Sequence, residues 1–149
     1  MHIIRANSDH PDFLTLVALL DQDLAIRDGD DHSFYQQFNK VDQIKHIVVA
    51  YLDNEAIGCG AIRAYTPDIM EVKRMFVLPE YRGKGIAGAV LSELEQWAAE
   101  LGYTRCILET GQMQPEAIRL YQKSGYSIIP NYGQYAGVEN SVCMEKVFL

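Results

Sequence analysis

The sequence predicts an α/β domain built on a mixed sheet, and three observations carry that expectation. Strand-like apolar runs and helix-period segments succeed one another in the order β, α, α, βββ, α, β, α, ββ. Three of the strand-like runs are joined by short turns, which makes an antiparallel meander. A strand, turn, helix and strand then follow, and a crossover of that length sets its two strands parallel and right-handed. With 149 residues, 48% of them hydrophobic and 22% charged, residues 1–149 are expected to form one domain. Such a length buries a core without disulfides or structural metal. No repeat, linker or low-complexity segment interrupts the order.

Taken along the chain, His2 to Ala6 is a short apolar run fit for a first strand. From Pro11, Phe13, Leu16, Val17, Leu20 and Leu24 recur at helical spacing behind a cap at Ser8 or Asp9. Residues 27–33, RDGDDHS, break that helix, and Phe34, Phe38 and Val41 suggest a shorter second one. His46 to Leu52 and Ala56 to Ala64 flank Asp53-Asn54-Glu55, a hairpin signal. A turn at Thr66-Pro67-Asp68 leads to the third meander strand, Met70 to Leu78. The helix after it carries Val90, Leu94, Trp97 and Leu101 on one stripe, and Gly102 ends it in the left-handed position. Arg105 to Glu109 is the next strand. Pro115 opens the last helix, Gly125 closes it, and two β-rich runs around a loop with Gly and Asn finish the chain.

The net charge of −7 and pI near 5.0 argue against a nucleic-acid partner, whose phosphates would be repelled, and favour a cationic small molecule. Cys59, Cys106 and Cys143 lie in apolar runs without C-x-x-C spacing, so they are expected as reduced core thiols. His2, His10, His32 and His46 have no ligand spacing, and no metal site is expected. No apolar run approaches the roughly 18 residues of a membrane span and no signal peptide precedes the chain, so a cytoplasmic protein without membrane contact is expected.

The stretch from Met70 to Gly102 organises the rest. Gly83, Gly85 and Gly88 fall where a strand has ended and a helix begins, and there unpaired backbone amides point outward together. The helix dipole, Arg82 and Lys84 add positive charge, so a phosphate or pyrophosphate is the expected guest. Gly83-Lys84-Gly85-Ile86-Ala87-Gly88 also satisfies G-x-G-x-x-G, with Glu109 about 20 residues on, as a dinucleotide fold requires. Against a dinucleotide, only one strand-helix-strand unit is visible, and the strand before the glycines contains Glu71, Lys73 and Arg74. The Walker loop fails, because no Ser or Thr follows a Gly-Lys.

The segment Arg82-Gly83-Lys84-Gly85-Ile86-Ala87 resembles the acetyl-CoA loop of the GNAT superfamily of N-acetyltransferases, Arg/Gln-x-x-Gly-x-Gly/Ala. The family's second signature appears as Ala117-Ile118-Arg119-Leu120-Tyr121 followed by Gly125-Tyr126. The element order looks like the family's from first strand to last. The resemblance implies a mixed, mostly antiparallel sheet whose central parallel pair splays in a V, flanked by helices. It implies acetyl-CoA as cofactor, with CoA as product, and transfer of the acetyl group to a small primary amine by direct attack. An amino-acid derivative, a polyamine and a drug-like amine are all open as acceptor. A non-catalytic acyl-CoA-binding module and, further off, a dinucleotide binder are the alternatives.

Carried onto this chain, the amides from Arg82 through Gly83, Lys84, Gly85, Ile86 and Ala87 to Gly88 would hold the pyrophosphate. The backbone near Val77 would pair with the pantetheine arm. Direct transfer needs the amine to lose a proton, and an alkyl ammonium is only about one part in a thousand neutral at pH 7, a cost of roughly 4 kcal/mol. Glu71 sits where some members carry a base glutamate; a strand charge paired with Lys73 or Arg63 is the other reading. Glu109 is the alternative base. Tyr121 matches the family's general acid. A hydrogen bond from it to the departing thiolate suffices, since full proton transfer is uphill by roughly 2 kcal/mol. Tyr132 and Tyr135 would wall the acceptor pocket or cover the last hairpin. Asp21, Asp23, Asp28, Asp30 and Asp31 would attract a cation or form a solvated loop. Where many members carry an asparagine after the Glu109 strand, this chain offers Gln112 or Gln114. The apolar end Val147-Phe148-Leu149 would suit a homodimer.

Overall fold

A computed structural model describes residues 1–28 and 44–148. Seven strands form one sheet: β1 (His2–Ala6), β2 (His46–Leu52), β3 (Glu55–Thr66), β4 (Ile69–Val77), β5 (Arg105–Gly111), β6 (Ser127–Ile129) and β7 (Ser141–Val147), in the order β1-β2-β3-β4-β5-β7-β6. Neighbours run antiparallel except β4 and β5, which are parallel. One parallel pair is too few for a doubly wound dinucleotide sheet. The helix expected around Phe34, Phe38 and Val41 lies outside the described residues.

Alternation along the strands feeds two cores on opposite faces of the sheet. On one face, α1 (Pro11–Asp28) sets Phe13, Leu16, Val17 and Leu20 against Ile47, Val49, Cys59, Ala61 and Phe76. On the other, α2 (Ile86–Glu100) sets Val90, Leu91, Leu94 and Ala98 against Val48, Ile62, Met70, Val72 and Leu108. A third helix, α3 (Pro115–Lys123), follows β5, and its buried Tyr121 joins that second core. The three cysteines are buried and free, as the apolar runs around them predict.

The turns follow from residue chemistry. Leu52 pairs with Glu55, and Asp53 and Asn54 between them take φ of 51° and 68°, the left-handed pair of a two-residue hairpin. Gly102 and Gly125, at φ of 91° and 100°, end α2 and α3 as expected. Strand ends differ by a residue or two from the sequence reading: β3 runs on to Thr66, and β4 stops at Val77 because Pro79–Tyr81 forms a 3₁₀ turn.

Two features of β4 set up the site. It pairs with β5 only through Ile69 to Arg105, Met70 to Cys106 and Glu71 to Ile107. Beyond Glu71 the strands part, β4 staying on β3 and β5 on β7, which leaves a V-shaped opening. The second feature is a bulge. Cys59 and Ala61, two apart on β3, face Phe76 and Lys73, three apart on β4. Arg74 absorbs the extra residue at φ 61°, a conformation rare for a side chain of that size.

Candidate active site

The glycine turn is built as the sequence predicts. Gly83 and Gly85 hold φ of 78° and 81°, and Gly85 is the N-cap of α2 without any side-chain cap. The first helical bond there is Ala89 N to Gly85 O, at 3.1 Å. Among the described residues, the amides from Gly83 to Gly88 find no acceptor in the protein. A Cβ added at Gly83, Gly85 or Gly88 would meet nothing within 4 Å. The turn is therefore an open row of donors at the positive end of a helix, the arrangement that receives a phosphate. Both flanking cations lean back against the protein. Arg82 Nε donates to Val77 O at 2.9 Å, and Lys84 Nζ lies 5.5 Å from the centre of the Tyr81 ring.

From that turn a cleft of about 500 Å³ follows the opening between β4 and β5. One wall is Val72 to Val77, the other Glu109 to Gly111 with Ala117, Leu120 and Tyr121 of α3; Leu20, Asp23 and Leu24 of α1 line it as well. Leu78 N donates to Ile57 O at 2.9 Å, so strand alternation turns the N–H and C=O of Val77 the other way, toward the opening. Tyr121 is buried yet its phenol has no hydrogen-bond partner among the described residues; it lines the cleft. Burial, then the charge of Glu109, raises that phenol above the usual tyrosine range, so it stays protonated and able to donate.

Three sequence expectations meet a different arrangement. Glu71 is only 1% exposed and does not line the cleft. Arg63 Nε donates to its Oε1 at 3.1 Å and the Tyr132 hydroxyl to its Oε2 at 2.6 Å, so both carboxylate oxygens are occupied. Of the partners expected for a strand charge, Glu71 takes Arg63, and the pair is buried at its acidic end rather than exposed. Tyr132 and Tyr135 wall no part of the cleft. Tyr135, 1% exposed, packs with Cys143 and Ile129, and Tyr132 stacks edge-on to Tyr65 and Tyr135, so the two cover the last strands and seal Glu71. Of the two carboxylates, Glu109 is the one on the cleft wall. In the acidic run, Asp21 is tied to Arg74 at 2.7 Å, Asp23 lines the cleft, and Asp30 and Asp31 lie outside the described residues.

The Acetyltransferase (GNAT) family model matches residues 13–126, which takes in β4, the glycine turn and the Tyr121 helix. The chain belongs to the GNAT family. Its relatives include the IAA acetyltransferase of Azospirillum brasilense, 39% identical over 100 residues, or 66% of this chain and 65% of that protein. The chain thus spans just under two thirds of that relative's length. A solved structure of a candidate acyl-CoA N-acyltransferase from Klebsiella pneumoniae superposes with a TM-score of 0.83 at 27% identity, covering 99% of this chain and 97% of that one. A GNAT acetyltransferase from Elizabethkingia anophelis, solved with acetyl-CoA bound, shares the fold at a TM-score of 0.71 and 19% identity, over 99% of this chain and 97% of that one.

Sequence reasoning passed over two residues of this GNAT cleft. Lys73 and Arg74 line it side by side, 8% and 9% exposed. Period-2 alternation would set neighbours on opposite faces, but the bulge at Arg74 keeps both on the α1 face: Arg74 reaches Asp21 of α1, and Met75 is the residue turned back toward α2. The one signal in the sequence was two adjacent cations inside a strand otherwise fit for burial.

Proposed function

We infer that the protein moves an acetyl group from acetyl-CoA to the primary amine of a small molecule, by direct attack within a ternary complex, and that residues 1–149 act as one transferase domain. The observation that carries this reading is the geometry of one cleft. Uncapped amides from Gly83 to Gly88 stand at one end, the outward-turned backbone of Val77 lies along the wall, and the Tyr121 phenol faces across. Acetyl-CoA supplies an activated thioester, and the residues do the rest. The amides of Gly83, Lys84, Gly85, Ile86, Ala87 and Gly88 bind the pyrophosphate, with Arg82 beside them. Val77 holds the pantetheine arm as an added strand. Glu109, in place of the sealed Glu71, takes a proton from the acceptor ammonium, directly or through water, and the neutral amine so formed attacks the thioester carbon. Tyr121 donates a hydrogen bond to the sulfur as charge develops on it. Its raised pKa makes outright proton transfer costlier still, which favours stabilisation by the bond.

The test follows free thiol with acetyl-CoA and a set of chemically varied amines. Intersecting initial-rate lines with varied amine and acetyl-CoA support direct attack, and parallel lines refute it. If CoA binds but no amine releases thiol above background, the protein is a binding module and the transferase reading fails.

A further inference from the structure

The bulge in β4 leaves two cations in an unusual position. Lys73 and Arg74 are more than nine-tenths buried, adjacent in sequence, on one face of the sheet, and both line the cleft. Each is only partly satisfied. Arg74 Nη1 donates to Asp21, whose side chain is half exposed, but its buried Nε has no partner. Lys73 Nζ has one long contact, 3.4 Å to the Tyr135 hydroxyl. The carboxylates near Lys73 are Glu71, already taken by Arg63 and Tyr132, and Glu109 across the opening. Side-by-side buried cations are costly, and an anion between them removes much of that cost.

We propose that Lys73 and Arg74 form a carboxylate subsite, so that the acceptor is an amine carrying a carboxylate close to its nitrogen, of the α-amino-acid class. The carboxylate sits between Lys73 Nζ and Arg74 Nε, and the ammonium lies toward Glu109. Leu20, Leu24 and Phe76 beside the pair offer an apolar wall to the rest of the molecule. A polyamine would bring more positive charge against the two cations and is the less favoured acceptor on that ground. Burial lowers the pKa of Lys73, Glu71 and Glu109 oppose that, Arg63 and Arg74 add to it, and a bound carboxylate would act in the same sense as the two glutamates.

This proposal rests on the acetyl-transfer reading above and is tested with matched acceptors: an amino acid, its amide and the corresponding decarboxylated amine. Rates are compared per neutral amine, in the parent and in Lys73→Gln and Arg74→Asn. Asparagine tolerates the left-handed backbone at that position, and a CoA-induced rise in melting temperature checks that each variant folds. The parent should prefer the amino acid over the decarboxylated amine by at least tenfold in kcat/KM, the worth of a charge-assisted hydrogen bond. That ratio should fall to within about threefold of one in Lys73→Gln. A parent that acetylates the decarboxylated amine or the amide equally well overturns the subsite and leaves the transferase standing. So does a preference that survives both substitutions. No transfer to any amine, with the melting shift by CoA intact, overturns the transferase reading and the subsite with it.

Discussion

Replacing Tyr121 with phenylalanine separates chemistry from folding cleanly. The phenol has no hydrogen-bond partner among the described residues, and its ring packs on Tyr126 at 5.9 Å, a contact that phenylalanine keeps. Stability should therefore stay within about 0.5 kcal/mol of the parent. Acetyl-CoA affinity should stay within about threefold, because the ground state gains little from the donor. Turnover loses a pre-placed donor to a developing anion, worth about 2.7–4 kcal/mol, so kcat should fall roughly 10²- to 10³-fold. Thiol release under saturating acetyl-CoA reads kcat, and calorimetry reads affinity. A kcat within about threefold of the parent would refute the role. So would a basic limb below about pH 10 that disappears in Tyr121→Phe, because burial holds this phenol protonated above the ordinary tyrosine pKa.

Further outcomes follow from the same geometry. Gly88→Ala meets no atom within 4 Å and sits in the first turn of α2. Its melting temperature should hold or rise while CoA affinity drops at least tenfold; an unchanged affinity would place the diphosphate elsewhere. Glu109→Gln should abolish most turnover without loss of CoA binding. Glu71→Gln, by contrast, should cost about 1–3 kcal/mol of stability through its bonds to Arg63 and Tyr132 and leave kcat largely intact; the reverse pattern restores Glu71 as base. Burial lowers Lys73 below 10.5, so between its folded value and 10.5 the unfolded chain binds more protons and stability rises with pH. The buried thiols shift the other way and lower stability above about pH 8.5, so the Lys73 contribution is read from the difference in urea midpoint between the parent and Lys73→Met, which should move in the parent's favour as pH rises toward 10.5. Burial also pushes the Cys59 and Cys106 thiols up to about 12 and Cys143 to about 11. A thiol reagent should leave the native protein unlabelled at neutral pH and find three thiols after unfolding.

What was legible in the sequence is what local chemistry dictates. Gly83 and Gly85 were readable because only glycine takes their backbone angles without strain, and Asp53-Asn54 because a tight hairpin demands left-handed residues. The parallel pair followed from one crossover length. Less readable was anything that depends on a distant partner. Glu71 looked like a strand charge in a family base position, but its burial is decided by Tyr132, 61 positions along the chain. Lys73 and Arg74 were invisible as a pair because alternation assigns neighbours to opposite faces, and a bulge leaves no composition signal beyond the cations themselves. Tyr132 and Tyr135 sit in a loop whose side chains could turn either way, and packing on Cys143 turns Tyr135 inward.

The central claim is that the amides after β4 hold the diphosphate of CoA. Backbone amide NMR, with CoA titrated into labelled protein, reads it directly. The account predicts that Gly83, Gly85, Ile86, Ala87 and Gly88 show the largest shifts, that their exchange with solvent slows, and that inorganic pyrophosphate reproduces part of the pattern. Saturating CoA that leaves those amides unmoved, with the shifts gathered elsewhere, would contradict it.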